Sequence, residues 1–166
     1  MSIIQSKELS GFREKHGDKK IVFCSGCFDL THAGHVLFFE DCKKLGDVLV
    51  VAVGNDANIK QYKGGNRPIL NEHLRLKIID SLKPVDYCFL DHLFAGDDPL
   101  SNLEVVFRNL KPDIYVVNDD AFDLSRREEM TRVLGVKMEV LKRKSPPEFK
   151  GVSTSNIIEK IRKLEN

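Results

Sequence analysis

The sequence predicts an α/β fold: a doubly wound sheet of five parallel strands with helices on both faces. Three observations carry this expectation. Short β-branched runs alternate with segments of helical period. The runs are apolar almost without interruption, as strands covered on both faces are. The resulting order, βαβαβαβαβα behind a short N-terminal helix, is one that right-handed crossovers turn into an open parallel sheet.

The N-terminal helix is expected over about residues 2–17, and the core over about 20–164. Strands are expected at Ile21 to Cys24, Val48 to Val53, Tyr87 to Leu90, Ile114 to Val117 and Val136 to Leu141. Between the first two, residues 34–45 place Phe38, Cys42 and Leu45 on one helical face. Asn71 is a good N-cap for a helix whose stripe is Leu74, Ile78, Ile79 and Leu82. Ser101 with Glu104, and Ser125 with Glu128, form capping-box patterns that open two more helices, and Gly135 is a C-cap for the second. The last helix runs from about Ser155 to Leu164, with Ile157, Ile158, Ile161 and Leu164 facing inward. Two loops, 91–99 and 142–152, are longer than their connections need. No repeat, low-complexity tract or linker interrupts the chain, so residues 1–166 read as one Rossmann-like domain.

The balance of charge narrows the function. The chain of 166 residues has 26 Lys+Arg against 25 Asp+Glu, a formal net charge of +1, with 42% hydrophobic and 31% charged residues and no long single-sign block. Such a chain can bury a sizeable core without staples. It does not suit a nucleic-acid coat, a polybasic membrane anchor or a disordered tail. The four cysteines, Cys24, Cys27, Cys42 and Cys88, are too few and too irregular for a disulfide framework. No signal-peptide pattern and no membrane-length apolar stretch is present, so a soluble cytoplasmic protein is expected.

In open parallel sheets ligands sit outside the carboxyl ends of the strands, near the switch in strand order. The loop after the first strand, Gly26-Cys27-Phe28-Asp29-Leu30-Thr31-His32-Ala33-Gly34-His35, ends where a helix begins. Two imidazoles spaced i, i+3 at a helix N-terminus, with Gly34 between them to let a ligand approach the backbone, suit a phosphate. Two polar histidines in ordinary capping roles would give the same pattern. Cys24, Cys27, His32 and His35 could also be read as a zinc set, although the four residues between the pairs make a short spacer. A thioredoxin-like redox role fits less well, because a loop separates the cysteines from the helix. The glycine-rich fingerprints of dinucleotide and P-loop sites are absent.

Two further clusters follow strands. Lys60-Gln61-Tyr62-Lys63-Gly64-Gly65-Asn66-Arg67-Pro68 is a basic, Gly-rich loop that could clamp a polyphosphate, with Arg75 one turn into the next helix; a solvated basic loop would look alike. Lys142-Arg143-Lys144 leads through Pro146, Pro147 and Lys150 to Gly151-Val152-Ser153-Thr154-Ser155, where three hydroxyls meet a helix start as caps or as an anion site. Lys60, Lys63, Arg67, Arg75 and the 142–150 loop are expected to gather at one sheet edge, with Asp91, Asp97, Asp98, Glu128 and Glu129 elsewhere.

The loop from Gly26 to His35, with its His32-Ala33-Gly34-His35, resembles the His-x-Gly-His signature of the nucleotidyltransferase superfamily, and Gly151-Val152-Ser153-Thr154-Ser155 resembles its second signature. The likeness runs from about Lys20 to Leu164. It implies transfer of a nucleoside monophosphate from a triphosphate (ATP or CTP) to a small phosphorylated sugar or polyol, with Mg²⁺ accompanying the nucleotide. By that resemblance His32, His35 and Lys63 are catalytic. Gly26, Cys27, Phe28, Gly34, Asp119, Arg143, Ser153, Thr154 and Ser155 bind the nucleotide, and Asp29, Lys63 and Arg75 bind the acceptor phosphate. No metal-ligating residue, nucleic acid or membrane is implied, and a homodimer is expected. The first half, through Lys63-Gly64-Gly65-Asn66-Arg67-Pro68, resembles heptose 1-phosphate adenylyltransferases. Val117-Asn118-Asp119-Asp120-Ala121 and Arg143 resemble instead the cytidylyltransferases of glycerol phosphate and related phospho-alcohols, whose short link before the second signature is replaced here by residues 144–150. A nucleotide-sensing module is the non-enzymatic alternative.

Overall fold

Five parallel strands form one sheet in the order β3-β2-β1-β4-β5, in a computed structural model that describes residues 3–92, 98–144 and 146–164. They are β1 (Ile21–Gly26), β2 (Val48–Gly54), β3 (Tyr87–Asp91), β4 (Ile114–Asn118) and β5 (Lys137–Leu141). The first four run one or two residues past the apolar runs that predict them, because pairing needs only backbone: Gly26 sits opposite Val53, and Asn118 opposite Leu141. Asp97 and the middle of the 91–99 loop lie outside the described residues.

Both faces of the sheet are covered, as the unbroken apolar strands require. Phe23, Val50, Phe89 and Tyr115 point to one face, where they pack with Phe12, Leu100, Phe107 and Leu110. Val22, Leu49, Val51, Cys88 and Val116 point to the other, against Phe39, Cys42, Leu76 and Ile79. Each such side chain contributes about 1.5–3 kcal/mol by leaving water. The covering helices are α1 (Phe12–His16), α5 (Pro99–Leu110) and α6 (Leu124–Leu134) on the first face, and α2 (Ala33–Lys43) and α4 (Glu72–Asp80) on the second.

Several expectations need correction. The N-terminal helix is shorter than residues 2–17: Ile3 bridges to Cys88 beside β3, and a 3₁₀ turn, Ser6–Gly11, precedes α1. Residues 60–63, read as the start of a Gly-rich loop, belong to a helix, α3 (Asp56–Lys63), capped by the Asn55 side chain and ended by Gly64 at φ 87°. The caps of α5 and α6 are Asp98 and Asp123, three and two residues before the Ser101 and Ser125 read from the sequence. On α4 the buried positions are Arg75, Leu76 and Ile79, while Leu74 is exposed. The last helix, α7 (Thr154–Leu164), leaves Ile161 exposed and Leu164 85% exposed, contrary to the inward stripe expected.

Candidate functional site

Strand order reverses at β1, whose neighbours are β2 and β4, and a crevice opens there outside the carboxyl ends of the strands. It holds a cavity of about 620 Å³. Its wall includes Gly26, Cys27, Phe28, Gly34 and both imidazoles from the segment after β1, Lys63 from α3, Arg143 from the loop after β5, and Thr154 from the start of α7. Chain segments more than a hundred residues apart therefore meet at the position the strand topology selects.

The geometry of the imidazole pair follows from local constraints. His32 is the N-cap of α2, and its Nδ1 accepts the Gly34 N–H at 3.1 Å. His35 Nδ1 accepts the His32 N–H at 3.4 Å, and the two rings stack with centroids 4.0 Å apart. With Nδ1 of each ring engaged as an acceptor, the neutral ring carries its proton on Nε2. His32 Nε2 is buried with no partner, so an acceptor brought into the cavity would satisfy it. Gly34 is explained by the same ring: a Cβ there would lie 3.0 Å from His32 Cε1. The glycine makes room for the imidazole and also lines the cavity. Gly26 has a similar reason, since its Cβ would stand 2.8 Å from the Phe28 ring.

Both imidazoles are held neutral. Burial pushes the His35 pKa down to about 3, reinforced by His32, Arg143 and Lys63; burial and Arg143 lower His32 as well. Unfolded, an imidazole protonates near about 6.5. As the pH falls below that value the unfolded chain therefore takes up protons that the native chain refuses, and native stability declines toward pH about 3. The melting temperature is expected to drop between pH 6.5 and 5, before carboxylates titrate, and His35→Asn should flatten that slope. Equal slopes for the two proteins would refute the assignment.

Asp29 and Arg75 take roles other than the acceptor contact expected. Asp29 is 2% exposed, and its carboxylate accepts Arg67 Nε and the Ile69 and Leu70 N–H groups at 2.9–3.0 Å. Burial opposes its ionisation, but these donors outweigh burial and lower its pKa. Its backbone carbonyl accepts the Thr154 hydroxyl at 2.9 Å. One residue thus ties the β1 loop to the α3–α4 connection and to α7. Arg75 is fully buried, donating to Leu70 O, Cys27 O and Asp56 Oδ1 at 2.6–2.9 Å. Its guanidinium braces the fold and does not face the cavity.

The remaining expected residues divide. The Ser153 hydroxyl caps Asn156, and Ser155 is exposed; of the three hydroxyls only Thr154 lines the cavity. The carboxylate on the wall belongs to Asp120, which pairs with Arg143 at 2.6 Å, and Asp119 does not line it. Of the cations expected to gather, Lys63, Arg143 and Lys144 reach the cavity, whereas Lys60, Arg67 and Arg75 do not. Cys24 is buried in the core beside Cys42, so the zinc set does not assemble. Among the described residues no group of three or more His, Cys, Asp or Glu side chains could hold a metal. The sequence reading also missed Tyr115 and Arg127 on the wall, and the exposed Phe122; only their place on or after β4, at the switch, could have suggested them.

The chain is similar to known proteins over most of its length. A family model described as cytidylyltransferase-like matches residues 23–160. The chain is 39% identical over 153 residues to the bifunctional protein HldE of Helicobacter pylori, covering 92% of this chain and 30% of that one. It is 38% identical over 160 residues to HldE of Campylobacter jejuni, covering 96% and 31%. It therefore spans about a third of the length of the curated relatives it matches. The crystal structure of the lipopolysaccharide core biosynthesis protein from Thermoplasma volcanium is similar at 30% identity and TM-score 0.59, over 76% of this chain and 97% of that one. A pantoate-beta-alanine ligase from Francisella tularensis, at 17% identity and TM-score 0.66 over 98% and 79%, shares the fold. With both signatures lining one crevice and a family model matching most of its length, the chain belongs to the cytidylyltransferase-like family of nucleotidyltransferases.

Proposed function

We propose that this chain transfers a nucleoside monophosphate from a triphosphate to a small phosphorylated sugar or polyol, releasing pyrophosphate. The observation that carries the reading is the pair of neutral imidazoles, each with its proton on Nε2, that line a cavity at the N-terminus of α2. An oxygen of the acceptor phosphate forms a bond to the α-phosphorus as the bond from that phosphorus to the bridging oxygen of pyrophosphate breaks. Charge grows on the phosphoryl oxygens, where His32 and His35 donate and the α2 dipole assists. Lys63 holds the phosphates in place, with the N-terminus of α7 at Thr154 facing the same cavity, so catalysis is positioning plus electrostatics.

Magnesium, expected with the nucleotide, finds no protein cage here, since the cavity carboxylate Asp120 is already paired with Arg143. Such an ion commonly binds through substrate phosphates, whose charge it neutralises; none of the steps above requires a protein-held ion. The likeness of the first half to heptose 1-phosphate adenylyltransferases, and the 30%-identical lipopolysaccharide core biosynthesis protein, favour adenylyl transfer to heptose 1-phosphate. The Asp119-Asp120 segment favours the second reading, cytidylyl transfer to glycerol 3-phosphate or a related phospho-alcohol. The same proposal takes residues 1–166 as one domain, working in the cytoplasm as a homodimer. Among the described residues no helix is long and apolar enough to cross a membrane.

A pyrophosphate-release screen crossing ATP, CTP, GTP and UTP with sugar, polyol and amino-alcohol phosphates tests the reading. One nucleotide paired with one acceptor class is expected to stand out. Nucleotide binding without turnover for every pair would make the chain a sensor instead.

A further inference from the structure

Helix α3 brings one face to the cavity. Ile59, Tyr62 and Lys63, spaced i, i+3 and i+4, all line it. Ile59 anchors the helix: it is buried, and a Cβ at Gly54 would lie 3.5 Å from its Cδ1. The helix start is fixed as well, since the Asp56 N–H donates to Glu72 Oε2 at 2.8 Å and the Asp56 carboxylate accepts Nη2 of the buried Arg75 at 2.7 Å. Tyr62 is therefore carried on a braced helix, 44% exposed and one residue before Lys63. A binding group on such an element keeps its geometry better than one on a loop.

The two sides of the crevice differ. The half of the wall that follows β4 and β5 is rich in polar groups, with Asn118, Asp120, Arg127 and Arg143. On the other side of β1, among the described residues that line the cavity, Lys63 is the one charged group, and beside it stand Ile59, Tyr62, Cys27 and Phe28. Arg143 and the start of α7, which the transfer reading leaves to the nucleotide, come from chain after β5. In-line displacement puts the entering oxygen opposite the departing pyrophosphate, so the acceptor approaches from the α3 side. A wall of apolar and aromatic groups beside a single cation suits a molecule that has one phosphate and one apolar face. A pyranose has that form: its ring C–H groups gather on a face and its hydroxyls stand around the rim, where they stay in water.

Resting on the transfer reaction above, we propose that Tyr62 determines acceptor specificity, its ring being the platform on which the C–H face of a cyclic acceptor packs while Lys63 holds the acceptor's phosphate. The favoured substrate class is therefore a pyranose phosphate over an open-chain polyol phosphate, which has no such face. Between the two acceptor classes named above, the platform selects the sugar.

The test uses mannose 1-phosphate and mannitol 1-phosphate, which share the same number of carbons and a single phosphate and differ in the closed ring. Binding is read by calorimetry and turnover by pyrophosphate release. The unaltered protein should bind the ring compound at least about tenfold tighter. Part of that preference comes from the rotors that an open chain freezes on binding, so variants isolate the share of Tyr62. Tyr62→Ala should weaken mannose 1-phosphate binding about tenfold, the scale of re-exposing roughly 50 Å² of apolar surface, and leave mannitol 1-phosphate binding and the nucleotide KM within about twofold. The position is exposed and alanine is the better helix former, so this variant folds. Tyr62→Phe should keep the preference, because the ring and not the hydroxyl makes the contact. Equal binding of the two phosphates, binding of neither, an unaltered preference in Tyr62→Ala, or a loss in Tyr62→Phe as large as in Tyr62→Ala would overturn the proposal, while pyrophosphate release would still uphold the transfer reaction. A Tyr62-dependent preference without pyrophosphate release for any pair would leave the platform standing and remove the transfer reaction.

Discussion

Replacing His35 by alanine is expected to lower turnover about 10²-fold or more while leaving the unfolding transition at neutral pH in place, as loss of one preorganised donor to a developing oxyanion does. The ring is half-buried and its one backbone contact is long, at 3.4 Å, so little stability is at stake there. The tautomer derived for the pair sharpens the test. Glutamine carries its amide nitrogen about as far from the backbone as Nε2, and asparagine about as far as Nδ1. His35→Gln should therefore retain more activity than His35→Asn. Pyrophosphate release at the original rate in a folded His35→Ala protein would remove His35 from catalysis.

Arg75→Met is expected to be the most destabilising single change, at about 3–5 kcal/mol in urea unfolding, the range for breaking a buried ion pair by removing one partner. The methionine fills part of the volume but leaves the Cys27 and Leu70 carbonyls and the Asp56 carboxylate without their donor. A phosphate-binding arginine behaves otherwise: its loss raises KM and spares stability. An Arg75→Met protein that unfolds like the original and fails only to bind acceptor would restore the role read from the sequence.

That arginine shows where sequence reasoning ran short. The strands were legible because VLVVAV and IYVV are short, β-branched and bounded, and because both faces are buried the register hardly mattered. The imidazole pair was legible because the strand-loop-helix context makes a helix N-terminus an anion site. Charge alone could not separate Arg75, whose partner Asp56 lies 19 positions away, from Lys63, which faces the cavity. Helix α3 escaped because it is polar on nearly every side, with Ile59 as its buried residue, and because Gly64-Gly65 reads as loop when it is a helix end. The caps of α5 and α6 were misplaced since Ser101 and Ser125 mimic caps, although Pro99 at the first turn already points to Asp98. In α7 the period fixes which residues share a face, but not how far the surface beneath them extends, and Leu164 lies beyond it.

The anchoring by Asp29 has a consequence for how such a site can be rebuilt. Its carboxylate sets the course of residues 67–70 and its carbonyl receives the hydroxyl that starts α7. The alignment of the two sides thus depends on one rigid docking point and not on continuous chain between them. The stretch from Lys142 to Val152 can then be treated as an exchangeable cassette: a shorter or differently charged version should still deliver the following helix to the same place, provided a hydroxyl remains at position 154.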